Sequence, residues 1–192
     1  MGCGDGRILR HFRNIQGIEL IASDARAETI DWCKKNLPGP IYHVNSLTPA
    51  LPFLEPDSVD FAYAVSVFTH IPVDAQKPWL EELNKSIRPG GYLFITVMND
   101  SLKNHLSTTR LEALEKDGAL EITGEDGEAS LSTQVGGSAW DVYQSRENIR
   151  QLFGTVFEVT AYLDNGLAPE DAGIAGMPPE LGQDLVILQK PR

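Results

Sequence analysis

The chain has 192 residues and a formal net charge of −11, and 42% of its residues are apolar. This length and apolar content suit one globular domain with an ample core. The negative charge argues against a nucleic acid or an anionic membrane surface as the main partner, because both would repel the chain at long range.

Cysteine content and hydropathy indicate the compartment. The two cysteines, Cys3 and Cys33, make no disulfide framework, and no spacing of Cys or His resembles a metal site. No apolar run approaches the roughly 18 residues that a membrane span needs, and the N-terminal residues lack the apolar stretch of a signal peptide. We therefore expect a cytoplasmic protein with no metal site and no membrane partner.

The first residues form a glycine-rich segment. Gly2, Gly4 and Gly6 alternate, and they lead into an apolar-periodic segment from Ile8 to Phe12 that predicts the first turns of a helix. Glycine permits positive φ and close approach of a ligand to the backbone, and a helix start offers unpaired N–H groups. This combination is typical of a turn that holds a nucleotide.

Strand and helix patterns alternate as far as residue 98. A short apolar run ends in Asp24, as a buried parallel strand does at the carboxyl edge of a sheet. The predicted elements are a strand over 17–24, a helix over 27–37, strands over 41–45 and 59–65, a helix over 74–87 that Arg88–Gly91 terminates, and a strand over 92–98. This order predicts an open, mostly parallel sheet with helices on both faces.

The second half is less regular. It predicts a helix over 109–116, a polar segment with room for one hairpin over 117–137, a helix from a Ser145 cap to Phe153, and strands over 157–163 and 184–189. We expect one domain over 1–192, with an irregular insertion at 99–144 near the substrate site and a loop at 165–182 between the last two strands. The acidic stretch from Glu121 to Glu128 is expected to be a solvated loop.

Four motifs occur in a specific order along the chain. They are Gly2-Cys-Gly-Asp-Gly6, the strand-end Asp24, Leu51-Pro-Phe53 before the segment from Asp60 to His70, and the segment from Leu83 to Gly91 before a strand. Together they make the chain resemble the class I S-adenosylmethionine-dependent methyltransferases over nearly its whole length. The resemblance implies methyl transfer from S-adenosylmethionine, with S-adenosylhomocysteine as the product.

The resemblance also implies a fold. It is a Rossmann-like, three-layer α/β/α sandwich around a seven-stranded sheet of order 3-2-1-4-5-7-6, in which strand 7 is antiparallel to the others. In the family, a central first strand carrying an acid precedes the glycine turn. Because this sequence contains neither that strand nor the acid, we expect the first strand to be missing from an N-terminally truncated chain.

The family resemblance also implies the cofactor contacts. The glycine turn would lie beside the methionine part, and Asp24 would bind the ribose hydroxyls. Adenine would lie between Ala25 and the segment from Asn45 to Leu47, and the end of the fourth strand, from Ala64 to Ser66, would border the methionine part. These residues are Gly2, Cys3, Gly4, Asp5, Gly6, Asp24, Ala25, Asn45, Ser46, Leu47, Ala64, Val65 and Ser66. The chemistry of Asp24 agrees, because a carboxylate accepts both hydroxyls of a diol and its position 18 residues after Gly6 matches the spacing expected from glycine turn to ribose acid.

The reaction needs an aligned acceptor and, for some acceptors, a base. His70 follows the strand that faces the cofactor, and imidazole titrates near neutral pH, so it is the candidate base or substrate anchor. Trp140 and Tyr143 are the candidate substrate contacts. The acidic chain favours a small-molecule acceptor, methylated on O, N or C, over nucleic acid.

Two other functions are compatible with a strand–glycine–helix pattern. The first is a nicotinamide-dependent oxidoreductase, although its Gly-x-Gly-x-x-Gly fingerprint needs glycine where this chain has Arg7. The second is a non-catalytic domain that keeps the methyltransferase fold for binding. Titration with S-adenosylmethionine and with NAD distinguishes the three.

Overall fold

The computed structural model describes residues 1–98, 106–123, 140–167 and 182–192. Within these ranges the chain forms four α-helices and eight strands. The helices are α1 (Ala27–Asn36), α2 (Val73–Ser86), α3 (Thr108–Asp117) and α4 (Arg146–Gly154). The strands are β1 (Ile21–Asp24), β2 (Ile41–Val44), β3 (Val59–Ala64), β4 (Ile87–Met98), β5 (Ala119–Thr123), β6 (Trp140–Gln144), β7 (Glu158–Leu167) and β8 (Gln183–Gln189).

These strands form three sheets, where the sequence predicted one sheet of seven strands. β1 and β2 form a parallel pair, and the antiparallel pair of β5 and β6 forms a second small sheet. The third sheet has the order β3-β4-β8-β7. In it, β3 and β4 are parallel, and β8 lies between β4 and β7 and is antiparallel to both. The last strand is therefore antiparallel, as the sequence predicted.

The main core lies between the four-stranded sheet and helices α2 and α4. Leu80 and Leu83 of α2, three residues apart, share one helix face, and Ile149 and Phe153 of α4 do the same at a spacing of four. All four side chains are at most 4% exposed, and they belong to one apolar cluster with alternate residues of the sheet, among them Leu93, Ile95, Val186 and Leu188. This packing fixes the strand ends at which the site is built.

A smaller core joins the first residues to β1, β2 and α1. Its buried members are Leu9, Ala22, Ile30, Cys33, Leu37 and Tyr42. The Tyr42 hydroxyl donates to the carbonyl of Leu37 at 2.7 Å, and burial raises the pKa of Tyr42 to about 12. The backbone at Gly6 approaches this cluster so closely that a Cβ there would overlap the Leu37 side chain. The glycine turn is therefore packed against α1.

The region of the predicted insertion contains α3 and the hairpin partners β5 and β6. Gln76 of α2 is fully buried and donates to the carbonyls of Phe68 and Ile71, while Gln144 of β6 donates to Gln76. These amide hydrogen bonds connect β6 to the 3-10 turn at Phe68–His70. The predicted segments at 124–139 and 168–181, within the insertion and the late loop, lie outside the described residues.

Two predicted boundaries were wrong. The first helix is only a 3-10 turn, Leu9–His11, because Leu9 is its one buried residue and a short helix needs an apolar face packed against the fold. The strand predicted over 92–98 begins earlier, at Ile87, so Arg88–Gly91 lies after the end of α2, as predicted, but within β4. Gly90 donates to Lys190 and Lys190 donates to Gly91, and these backbone bonds keep the segment extended beside the end of the chain.

Candidate functional site

The glycine turn is closed at its ends and open in its middle. Gly2, Gly4 and Gly6 all have positive φ, at 65°, 51° and 73°. A Cβ at Gly2 would overlap the side chain of Val67, and one at Gly6 would overlap that of Leu37, but nothing lies within 4 Å of the position at Gly4. The backbone at Gly4 is therefore open to a ligand.

Asp24 lies at the end of β1 and contacts this turn directly. The amide of Gly4 donates to Asp24 Oδ2 at 2.9 Å, and the amide of Arg26 donates to Oδ1 at 3.0 Å. The turn is also held by the amide of Cys3, which donates to the carbonyl of Ser23 at 2.9 Å. Each carboxylate oxygen of Asp24 thus has one backbone donor and can still accept a second hydrogen bond.

Asn45 follows β2 and lies next to Asp24. Its amide donates to the carbonyl of Asp24 at 3.1 Å, and its side-chain Nδ2 donates to the carbonyl of Ser46 at 2.8 Å. Asn45 Oδ1 is buried and has no hydrogen-bond partner in the part of the chain that the structure describes. Ala25 and Leu47 are exposed beside this pair. The predicted ribose and adenine residues are therefore neighbours, with an unused acceptor between the strand ends.

The end of β3 completes this edge. Ala64 is fully buried, and Ser66 has a positive φ of 55°, which is strained for a residue with a side chain. The amide of Ser66 donates to Thr96 Oγ1 at 2.7 Å, and its hydroxyl donates to Gln183 Oε1 at 3.0 Å. Sequence reasoning missed Thr96 and Gln183, because strand pairing alone places them beside Ser66.

Arg7 is a third residue that sequence reasoning did not assign to the site. Its Nη1 is buried and has no acceptor among the residues that the structure describes. A buried, unpaired guanidinium nitrogen is costly, so it marks a position where an anionic group could be accommodated. From the sequence, Arg7 was noted only as a departure from the fingerprint of nicotinamide-dependent oxidoreductases.

The two thiols pack against the turn. Cys3 Sγ and Cys33 Sγ both donate to the carbonyl of Gly4, at 3.5 and 3.3 Å. Burial raises the pKa of Cys3 to about 12 and also raises the pKa of Cys33. Both thiols therefore keep their protons at neutral pH and serve as hydrogen-bond donors. Since only a thiolate is an effective nucleophile, neither cysteine is a candidate nucleophile.

His70 lies against β6. Its Nδ1 is 2.7 Å from the carbonyl oxygen of Trp140 and 3.6 Å from Asp141 Oδ1, and its side chain is 29% exposed. A carbonyl only accepts hydrogen bonds, so in the neutral form of the ring it is Nδ1 that carries the hydrogen. Nε2 is then the nitrogen with the free lone pair.

Glu121 fixes Trp140 beside His70. Glu121 Oε1 accepts from the amide of Val73 at 2.8 Å, and Oε2 accepts from Trp140 Nε1 at 2.9 Å. The first bond satisfies an N–H group at the start of α2, where a negative charge also interacts favourably with the helix dipole. The expectation of a solvated loop was wrong at Glu121, because these two donors hold it within β5.

The two predicted substrate contacts are separated. Trp140 and Tyr143 are an odd number of positions apart on β6, so their side chains point to opposite faces. Tyr143 is 2% exposed and packs with Leu114 and Ile122, and burial raises its pKa to about 12. Of the pair, only Trp140 is partly exposed next to His70.

Among the described residues, no group of three or more His, Cys, Asp or Glu side chains could hold a metal ion. No helix in the same residues has the length and apolar character that crossing a membrane requires.

Comparisons with known proteins agree with the resemblance seen in the sequence. A family model described as "Methyltransferase domain" matches residues 1–95. This range contains the glycine turn, Asp24, Asn45, the end of β3 and His70. No curated protein matches the chain in sequence.

Solved structures show the same fold. An S-adenosylmethionine-dependent methyltransferase from Methanosarcina mazei is 16% identical, with a TM-score of 0.71 over 99% of this chain and 90% of that one. Another from Mesorhizobium loti is 15% identical, with a TM-score of 0.68 over 98% of this chain and 88% of that one. Residues 1–95 match the methyltransferase-domain family and the chain shares the fold of these structures, which together support a methyltransferase enzyme with S-adenosylmethionine as its cofactor.

Proposed function

We propose that this enzyme methylates a small-molecule acceptor, with His70 as the base and the edge formed by β1, β2 and β3 as the cofactor site. The observation that carries the proposal is the bond from the Gly4 amide to Asp24 Oδ2, at 2.9 Å. It joins an open glycine backbone to a carboxylate that has acceptor capacity left. This combination suits a nucleoside ribose beside an extended tail.

The residues present fit S-adenosylmethionine. Asp24 would accept the ribose hydroxyls, and the unpartnered Oδ1 of Asn45 would accept the amino group of adenine, which Ala25, Ser46 and Leu47 border. The open turn over Gly2, Cys3, Gly4, Asp5 and Gly6 and the strand end over Ala64, Val65 and Ser66 would hold the methionine part, with Arg7 Nη1 as a donor for its carboxylate. When bound, the cofactor supplies a methyl group on a sulfonium sulfur.

The neighbouring side chains suit an acceptor that carries no negative charge. Asp141 contacts His70, Glu121 accepts a hydrogen bond from Trp140, and the whole chain is acidic. An anionic acceptor would therefore be repelled. Nucleic acid is disfavoured for the same reason. The partly exposed Trp140 would contact the acceptor, and the buried Tyr143 would support that wall from behind.

His70 would remove the proton of the acceptor through Nε2. His70→Ala is expected to lower kcat by about 100-fold or more at pH 8, which is the usual range for a lost general base, while the Kd for S-adenosylmethionine stays within twofold. An unchanged kcat would remove His70 from the mechanism. His43→Ala, at a histidine stacked on Phe53, is the matched control.

We also propose that β1 and β3 lie in one sheet, whose order in the family's own strand numbers is 3-2-1-4-5-7-6. Residues 1–3 already bridge the two edges: the amide of Cys3 donates to Ser23, and the Met1 nitrogen donates to Tyr63 at 3.1 Å. Hydrogen exchange of the backbone amides of β1 and β3 tests whether the two strands share one sheet. Protection of alternate amides along the facing edges of β1 and β3 is expected, and rapid exchange of the amides on those facing edges would contradict the proposal.

The compartment is also a proposal. We propose the reducing cytoplasm, where thiols persist, and the support is that Cys3 and Cys33 are both free and both donate to one carbonyl.

Labelled methyl transfer tests the function itself. The purified enzyme with methyl-labelled S-adenosylmethionine is offered separate panels of small hydroxyl and amine compounds, RNA and a protein extract. We expect label only in small molecules, and Asp24→Asn to reduce it. Label found only in RNA or protein would contradict the proposed acceptor class.

A further inference from the structure

We propose that Asp141 is the positioning residue that makes His70 a base through Nε2, and that the acceptor atom is therefore the oxygen of an uncharged hydroxyl. The proposal rests on the proposed role of His70 in methyl transfer. It adds a residue from β6, in the part of the chain beyond the match to the family model.

Two acceptors lie on the same side of the His70 ring. The carbonyl oxygen of Trp140 is 2.7 Å from Nδ1, and Asp141 Oδ1 is 3.6 Å from the same nitrogen. The carbonyl accepts the hydrogen bond from Nδ1, and the carboxylate adds a negative charge on the Nδ1 side of the ring. Both groups favour the tautomer in which Nε2 is unprotonated.

Burial makes the charge of Asp141 effective. Its side chain is 1% exposed, whereas the side chain of His70 is 29% exposed. A carboxylate that is screened little by water stabilises the imidazolium more strongly than a surface carboxylate at the same distance. Asp141 thus favours the proton-accepting step without touching the acceptor.

The surrounding hydrogen bonds fix the geometry. Glu121 ties Trp140 to the start of α2, and the Gln76 amide holds the carbonyls of Phe68 and Ile71 on either side of His70. Gln144, three residues after Asp141, donates to Gln76. The strand that carries Asp141 and the turn that carries His70 are therefore held in one register.

This arrangement selects the chemistry of the acceptor. A carboxylate, a thioether or a neutral amine already has a nucleophilic lone pair and needs no base, but an alcohol or phenol must lose its proton as it is methylated. The acceptor hydroxyl would pass its proton to Nε2 while its oxygen bonds to the methyl carbon and the sulfonium sulfur recovers the electron pair of the broken S–CH3 bond. The proton then leaves Nε2 for water.

The first test needs neither cofactor nor acceptor. Nitrogen-15 NMR of the wild-type side chain at pH 8 is expected to show hydrogen on Nδ1 and none on Nε2 of His70. Hydrogen on Nε2 would overturn the proposal. This measurement holds even if every Asp141 variant fails to fold.

The second test measures the reactivity of Nε2. Diethyl pyrocarbonate acylates unprotonated imidazole, and peptide mass spectrometry gives the rate at His70 relative to the exposed His11. Asp141→Asn keeps the shape and removes the charge, and should slow His70 by roughly threefold to tenfold. Asp74→Asn, which removes an exposed carboxylate four residues after His70, should leave the ratio unchanged. An unchanged ratio in Asp141→Asn would overturn the proposal.

Turnover separates this inference from the proposed function. Asp141→Asn should lower kcat by about 10-fold to 100-fold with KM and the Kd for S-adenosylmethionine within twofold. On acceptor panels we expect phenols and alcohols to be methylated, and methylation of carboxylates alone or of amines alone would overturn the hydroxyl assignment. Failure of the wild type to bind S-adenosylmethionine would instead refute the proposed function, whatever the tautomer.

Discussion

The most informative single substitution is Asp24→Asn. The carboxylate of Asp24 has four lone-pair positions, and the amides of Gly4 and Arg26 occupy one on each oxygen. Two positions remain for the two ribose hydroxyls. In asparagine one oxygen becomes an NH2 group, so the remaining oxygen keeps one backbone donor and can accept one hydroxyl.

The expected magnitude follows from this count. The variant loses one hydrogen bond to a charged group, and such bonds contribute about 1.5–3 kcal/mol. At 25 °C this loss weakens the Kd for S-adenosylmethionine by about 10-fold to 100-fold. One backbone amide, of Gly4 or of Arg26, also loses its acceptor, so the melting temperature should fall as well.

Calorimetric titration with S-adenosylmethionine, below the melting temperature of the variant, measures the effect. Asp31→Asn is the matched control, because Asp31 is exposed on α1 and makes no contact with the turn in the described structure. Its Kd should equal that of the wild type. A Kd for Asp24→Asn within twofold of the wild type would refute the ribose assignment.

Three further predictions concern stability. Gly91→Ala would place a Cβ 2.9 Å from the carbonyl oxygen of Asp60 and should lower the free energy of unfolding, measured in urea, by about 1–3 kcal/mol. Gly154→Ala is the control and should not lower it, because nothing lies within 4 Å of the added Cβ. Equal effects of the two substitutions would contradict the packing at Gly91. Ser145→Ala removes the acceptor of the Asn148 amide at the start of α4 and should cost about 1 kcal/mol in the same assay, so an unchanged midpoint would disprove the cap. Burial raises the pKa of Asp184, so the folded state holds its proton more tightly than the unfolded chain does. The wild type should therefore lose thermal stability relative to Asp184→Asn as pH rises above about 3.8 through the folded-state pKa, and a constant difference between pH 3 and 7 would be inconsistent with that shift.

Local patterns predicted most of the elements. The run ending in Asp24, the helix from Ala27 and the β-branched strand up to Met98 lie within a few residues of their expected bounds, because strong periodicity or composition marks each one. Ser145 was also predicted, since a capping serine before an apolar-periodic segment is a local signal. Its Oγ accepts from Asn148 as expected.

Long-range contacts could not be read from the sequence. Glu121 looked like part of a solvated acidic loop because its two donors, Val73 and Trp140, are distant in the chain. Asp141 had no signal at all, since a lone acid in a strand becomes significant only when pairing brings it to His70. The predicted helix after Gly6 failed for the opposite reason: its pattern was present, but the segment forms only a 3-10 turn with Leu9 as its one buried residue.

The central claim is that the glycine turn and Asp24 form a binding site for S-adenosylmethionine. Calorimetric titration of the wild-type enzyme with S-adenosylmethionine, S-adenosylhomocysteine and NAD tests it most directly. We expect saturable one-site binding of the first two and no binding of NAD. Binding of NAD alone would contradict it.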